Sequence, residues 1–268
     1  MGFLIELLFE LVFEIPALRM IVWAVVPALL LLMYVRKHDC LEPESPRLIW
    51  TLVGFGALSV IAAMVLESAG IYVLSLIVSQ RSILFQILHW FVVVGIAEEF
   101  SKYLFLKFKT WRNPEFNCSY DGLIYAVAVS AGFALAENIT YVLRYGGSVV
   151  FIRGIVSIPA HICFSVFMGI WYTAAKKAEL AGNMQQAKYA SALAVAVPAL
   201  AHGAFDFIAV NTGSAAMIAV FVVYVIVMFA VCWKQIKKLA EEDAYLVSAK
   251  PGGLDWGPGS SRDQDNGR

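Results

Sequence analysis

Glu98, Glu99 and Lys102 fall within five residues of one another inside an apolar run from Ser82 to about Phe108. On a helix the two carboxylates stand four and three residues before the lysine, so both can share its ammonium. Trp90 to Val94 before them and Tyr103 to Leu106 after them read as a membrane span. A charge inside a span costs about 2.5–3.5 kcal/mol on insertion scales, so three together mark a functional site.

Other spans carry residues of matching chemistry. Phe133-Ala134-Leu135-Ala136-Glu137-Asn138 lies in one, His161 after Pro159-Ala160 in the next, and His202 with Asp206 in a third. His202 and Asp206 are four apart and share a helix face. Such a set supports hydrolysis in a sequestered wet cavity. A carboxylate takes a proton from water, the water attacks a peptide carbonyl, and a histidine steadies the oxyanion or protonates the leaving amine. At about 1.5 Å per residue, Glu137, His161, His202 and Asp206 fall in the outer half of the membrane and Glu98 nearer its middle. Small residues flank them (Ala97, Gly132, Ala134, Ala136, Ala160, Ala201, Gly203, Ala204), which lets helices approach closely.

The same residues have competing uses. Zinc could take His161, His202 and Glu98. H-E-x-x-H is absent, however, and no two histidines are four apart, so the ligands would come from separate helices. The expectation is no metal and no cofactor. No serine or cysteine has an obvious nucleophile setting; Ser165 is merely one turn after His161. Structural roles also exist: a Glu98–Lys102 pair that only fixes packing, a Glu137 hydrogen bond between helices, and a histidine held by Asp206. Glu67, beside Gly70, reads as a solvated boundary residue, His38 as a loop residue and His89 as a packed core histidine.

The elements that must position these groups follow from composition. Of 268 residues, 60% are hydrophobic and 15% charged, with mean hydropathy +0.74. Soluble domains have about 45–50% apolar and 25% charged residues, so this is a polytopic all-α membrane protein. At about 20 residues per crossing the length allows roughly seven spans and no sizeable soluble domain. Zero net charge argues against general nucleic-acid binding, leaving the lipid bilayer and a membrane-anchored protein as partners. The four cysteines are scattered, and Cys163 and Cys232 read as packing residues.

Residues 1–15, with Glu6, Glu10 and Glu14 every four positions, read as an interfacial amphipathic helix. The membrane domain covers 16–247, with catalytic spans at about 83–210, and 248–268 has the composition of a disordered tail. Spans are expected at Pro16–Val35, Leu48–Leu66, Ser82–Phe108, Gly122–Tyr141, Gly154–Ala175, Tyr189–Val210 and Ala215–Trp233. Glu67-Ser68-Ala69-Gly70 is expected to break the second, leaving Ile71–Val78 re-entrant or interfacial. Basic residues cluster after spans one, three, five and seven (Arg36, Lys37; Lys107, Lys109; Lys176, Lys177; Lys234, Lys237). By the positive-inside rule this puts the N-terminus outside and the C-terminus in the cytoplasm of a multi-pass cell-membrane protein.

The residues together resemble the PrsW-type intramembrane proteases, related to the CAAX prenyl endopeptidase group. The resemblance rests on Glu98 to Lys102 as E-E-x-x-K, Phe133 to Glu137 as F-x-x-x-E, and His202 to Asp206 as H-x-x-x-D. His161 fits the additional histidine, and Asp121-Gly122-Leu123-Ile124-Tyr125 also looks like the family's pattern. It covers about residues 85–210. The CAAX group ends the second motif in histidine; Glu137 here favours the PrsW branch and speaks against a prenylated substrate. The resemblance implies cleavage of a membrane-anchored protein, such as site-1 cleavage of an anti-sigma factor in bacterial stress signalling. Glu98 would activate water, Lys102 would position Glu99, His161 and His202 would assist proton transfer or the oxyanion, and Asp206 would orient His202. Phe133 and Asn138 would support them. The family has been described both as metalloproteases and as glutamate-dependent; without a local metal motif the metal-free mechanism is favoured. The competing class is a transporter or immunity-type binding protein that uses the same buried charges as an ion or proton relay.

Overall fold

The structure, a computed structural model, describes residues 16–39, 41–145 and 153–246. The expected interfacial helix at 1–15 and the expected tail lie outside the described residues. Seven helical runs occur where seven spans are expected. They are α1 (Pro16–Lys37), α2 (Pro46–Ile77), α3 (Ile83–Leu88) continuing through a π-helical stretch at His89–Val94 into α4 (Gly95–Thr110), α5 (Asp121–Tyr145), a second π-helical stretch (Arg153–Ser157) leading into α6 (Ile158–Leu180), α7 (Met184–Val210) and α8 (Ala215–Glu241). All but α1 are long and apolar enough to cross a membrane.

Local chemistry sets the helix starts. Ser45 accepts from the Leu48 amide ahead of Pro46, and Ser82 accepts from the Phe85 amide. Asn183 and Ser214 cap α7 and α8 in the same way, through the Gln186 and Met217 amides. Each satisfies an amide the first turn leaves open.

The second span differs from expectation. Glu67-Ser68-Ala69-Gly70 does not break it, and Ile71–Ile77 is neither re-entrant nor separate; α2 runs unbroken for 32 residues. Ser68 Oγ donates to its own helix, 2.7 Å from the Met64 carbonyl, so the polar residues leave the backbone ladder intact. At 1.5 Å per residue α2 is about 48 Å long, well beyond a hydrocarbon core of about 30 Å.

Helix α5 is central. Most of its apolar window is buried (78%), against 11% for α8, and α5 packs on α1, α2, α4 and α6. Its contact with α2 depends on paired glycines. A Cβ at Gly132 would strike the Val53 carbonyl, and one at Gly56 the Val129 carbonyl. Close backbone approach through small residues is how membrane helices pack without a hydrophobic drive between them. Phe116, Tyr120, Tyr125 and Tyr172 fill the core at one end of the bundle. The same end gathers the α1–α2 and α4–α5 loops and the segment after α8. Lys176 Nζ donates to the Trp111 carbonyl (2.8 Å), and Asp243 Oδ1 accepts from Ser119 Oγ and the Tyr120 amide.

Candidate active site

Glu98, Glu99 and Lys102 occupy the first two turns of α4, just after the π-helical stretch. A π turn adds a residue to the turn and so re-aims the helix face that follows. Gly95 and Gly203 bring α7 against this region: a Cβ at Gly95 would meet the Ala199 carbonyl, and one at Gly203 the Phe91 backbone. His202 is thereby set beside the glutamate pair. The second π-helical stretch precedes His161 in the same way.

The charged side chains form a continuous network. Lys102 Nζ donates to Glu99 Oε1 at 2.7 Å and stands 3.6 Å from Glu98 Oε2. It also reaches His161 Nδ1 at 3.1 Å and lies 4.1 Å from the Phe133 ring centre. An ammonium only donates, so His161 Nδ1 accepts and its Nε2–H donates to Glu137 Oε2 at 2.9 Å. Glu137 Oε2 in turn meets Arg153 Nη2 at 2.6 Å. On the other side His202 Nδ1 donates to Glu99 Oε1 at 3.0 Å. Its Nε2 stands 3.2 Å from Asp206 Oδ2 and 3.8 Å from Glu98 Oε2. The two imidazoles meet edge to face, 5.0 Å between centres, and Phe164 stacks on His202.

Each residue singled out from the sequence is therefore in this cluster or touching it. Asn138 acts one step removed: it is fully buried and accepts from Arg153 Nε at 3.3 Å. Asp121 does not belong to the site. It lies about 24 Å along α5 from Glu137, where its Oδ2 accepts from the Asn117 and Cys118 amides.

A cavity of about 820 Å³ opens onto the cluster, walled by the later halves of α2, α5 and α7 and the starts of α6 and α8. Glu98, Glu137, His161, His202 and Asp206 line it; Glu99 and Lys102 do not. Glu99 and Lys102 are fully buried behind it, whereas Glu98 retains 6% exposure. Glu98 and His202 share one level, so the expected offset in depth between them is absent.

Three wall residues had no role in the sequence reading. Arg153 counts there as a loop cation, yet it clamps Glu137 and lies over the Tyr141 ring at 3.6 Å. Glu67, read as a solvated boundary residue, lines the cavity; the signal for it was its place as the one charged residue between Leu48 and Ile77. His89 lines the cavity beside Trp90 and is not fully packed.

One group of donors has the composition of a zinc site. Glu98, Glu99, His161 and His202 each offer a ligand atom, all within 4.8 Å of one another, and mixed imidazole and carboxylate sets bind zinc. Lys102, however, already stands among them, within 2.7–3.6 Å of Glu99, His161 and Glu98. A dication there would face an ammonium across the same low-dielectric space, where like charges repel strongly. The arrangement does not fit a metal ion while Lys102 holds this position.

Comparison with known proteins bears on the same region. Residues 44–233 match the model of a family described as PrsW family intramembrane metalloprotease. The chain is 31% identical over 188 residues to Protease PrsW of Oceanobacillus iheyensis, covering 69% of this chain and 80% of the relative. Protease PrsW of Geobacillus kaustophilus is 29% identical over 184 residues, 69% of this chain and 76% of the relative. That of Clostridioides difficile is 33% identical over 152 residues, 55% and 62%. No solved structure matches. With the match spanning every helix that lines the cavity except the last turns of α8, the chain belongs to the PrsW family of intramembrane proteases.

Proposed function

We propose that the protein hydrolyses a peptide bond of a membrane-anchored protein by a water that Glu98 activates, without a metal. The observation that carries this is the division of the E-E-x-x-K trio: Glu98 faces the cavity, while Glu99 and Lys102 lie behind it. Glu98 takes a proton from water as the oxygen attacks the scissile carbonyl. His202, steadied by Glu99 and Asp206, then carries a proton to the leaving amine, so that acid and base are adjacent groups of one network. His161 has both ring nitrogens engaged, by Lys102 and Glu137, and is assigned the positioning of Lys102 close to the developing oxyanion.

The substrate is an anti-sigma-type single-span protein, cut near the outer face. Support comes from the cavity, which opens at the end of the bundle opposite Arg36, Lys107, Lys176 and Lys234; by the positive-inside rule the basic end is cytoplasmic. The test is cleavage of a tagged single-span anti-sigma-type reporter in cells, wild type against Glu98→Gln at equal membrane abundance. Loss of the product with Gln supports the assignment, because the amide keeps the shape and cannot act as the base. Unchanged cleavage removes Glu98 from the mechanism.

A further inference from the structure

Between Leu48 and Ile77 helix α2 has one charged residue, Glu67. Its neighbours one turn away, Ala63, Met64 and Ile71, line the same cavity wall, so its carboxylate faces the cavity and not lipid. A membrane helix that keeps a single carboxylate directed at a wet interior marks a functional position.

The other carboxylates of the cavity each have a cation: Glu98 has Lys102, Glu137 has Arg153, and Asp206 has His202. Arg144, on the same wall, is already engaged. Among the described residues Glu67 makes no hydrogen bond or ion pair of its own, yet it is near enough to Glu137, His202, Asp206 and Lys102 to feel their charges. An unpaired carboxylate, half-buried across the cavity from the reacting groups, has the chemistry of a receptor for a cation brought in by the substrate.

We propose that Glu67 is a specificity-determining residue: it receives a lysine or arginine side chain of the substrate and so sets the neighbouring peptide bond against Glu98. The inference rests on the protease reading above. It gives that reading a substrate class, a membrane segment with a basic residue at the depth of the cavity. Apolar wall residues beside Glu67, such as Met64 and Ile71, suit the alkyl stem of such a side chain.

The test uses the full-length protein in detergent with Glu98→Gln, which binds without cutting. The probes are synthetic single-span peptides that differ at one position, Lys, Gln or Glu, scanned over four consecutive residues at the outer end. Fluorescence anisotropy should show, at one of these positions, Lys bound about fivefold more tightly than Gln, with Glu weaker still. Adding Glu67→Gln should erase the difference and Glu67→Lys should invert it. A merely structural glutamate would not produce that inversion. Equal binding of all peptides, or a Lys preference that survives Glu67→Gln, overturns the inference.

The same peptides given to the protein with Glu98 intact separate the two readings. Glu67-dependent binding with no cleavage would sink the protease mechanism and leave the cation receptor. Cleavage with no Glu67-dependent preference would sink the receptor alone.

Discussion

Lys102 Nζ and His161 Nδ1 meet at 3.1 Å and so join α4 to α6 through the middle of the membrane. The contact fixes the imidazole tautomer and leaves Nε2–H for Glu137. Three carboxylates and two histidines are thereby tied to one ammonium.

Lys102→Ala should be the most disruptive single change in the cluster. It leaves Glu99 fully buried without its cation, and breaking a buried pair in this way costs about 3–5 kcal/mol. Thermal unfolding in detergent should show a large drop and the reporter should not be cut. Glu99→Gln should also lower stability, since it removes the acceptor of both Lys102 and His202, while Glu98→Gln should spare it. Equal destabilisation by the two glutamine substitutions would contradict the split between a wall residue and a buried one.

Metal dependence follows from the same ammonium. Purified protein dialysed against 1,10-phenanthroline or EDTA should retain its cleavage rate, and Lys102→Met, if it folds, should bind zinc more tightly than wild type. A wild-type protein that loses activity on chelation and regains it with zinc would show that Lys102 moves aside to admit the ion.

Arg153 should matter although it is not in any of the three motifs. Arg153→Gln frees Glu137, whose carboxylate holds His161. A displacement of about 1 Å in such a network costs about a hundredfold in rate, so kcat should fall with little change in KM. A mainly raised KM would instead place Arg153 in substrate binding.

How much of this was legible beforehand depends on cost. Glu98, Glu137, His161 and His202 stand out because a polar group deep in an apolar run must have a reason to be there. Glu67 and Arg153 escaped for the opposite reason. Each sits where a run of small and polar residues imitates a helix end, and charge near an end is cheap. The break read at Ser68 to Gly70 was the same error, since a serine can return its hydroxyl proton to its own helix. The two π-helical stretches have no composition that separates them from ordinary helix.

At the other end of the bundle Glu44 supplies a pH dependence. Burial, with the nearby Asp121 charge adding to it, pushes its carboxyl from 4.5 up to about 9. The folded protein thus holds this proton more tightly than the unfolded chain. The resulting stabilisation is present in full at low pH and is lost as pH rises toward the folded value. Glu44→Gln, which cannot ionise, should gain stability relative to wild type from about pH 5 to about pH 9. Parallel melting-temperature curves across that range would rule out a buried neutral acid.

The π-helical stretch at His89–Val94 makes the register of Glu98 depend on length. Removing one residue there would restore an ordinary turn and rotate everything downstream by about 100°. Glu98 would then point away from the cavity and Ile96 or Phe100 would take its bearing. Substitutions along the stretch should be forgiven where single deletions are not, because what aims the glutamate is a count of residues and not the identity of any one.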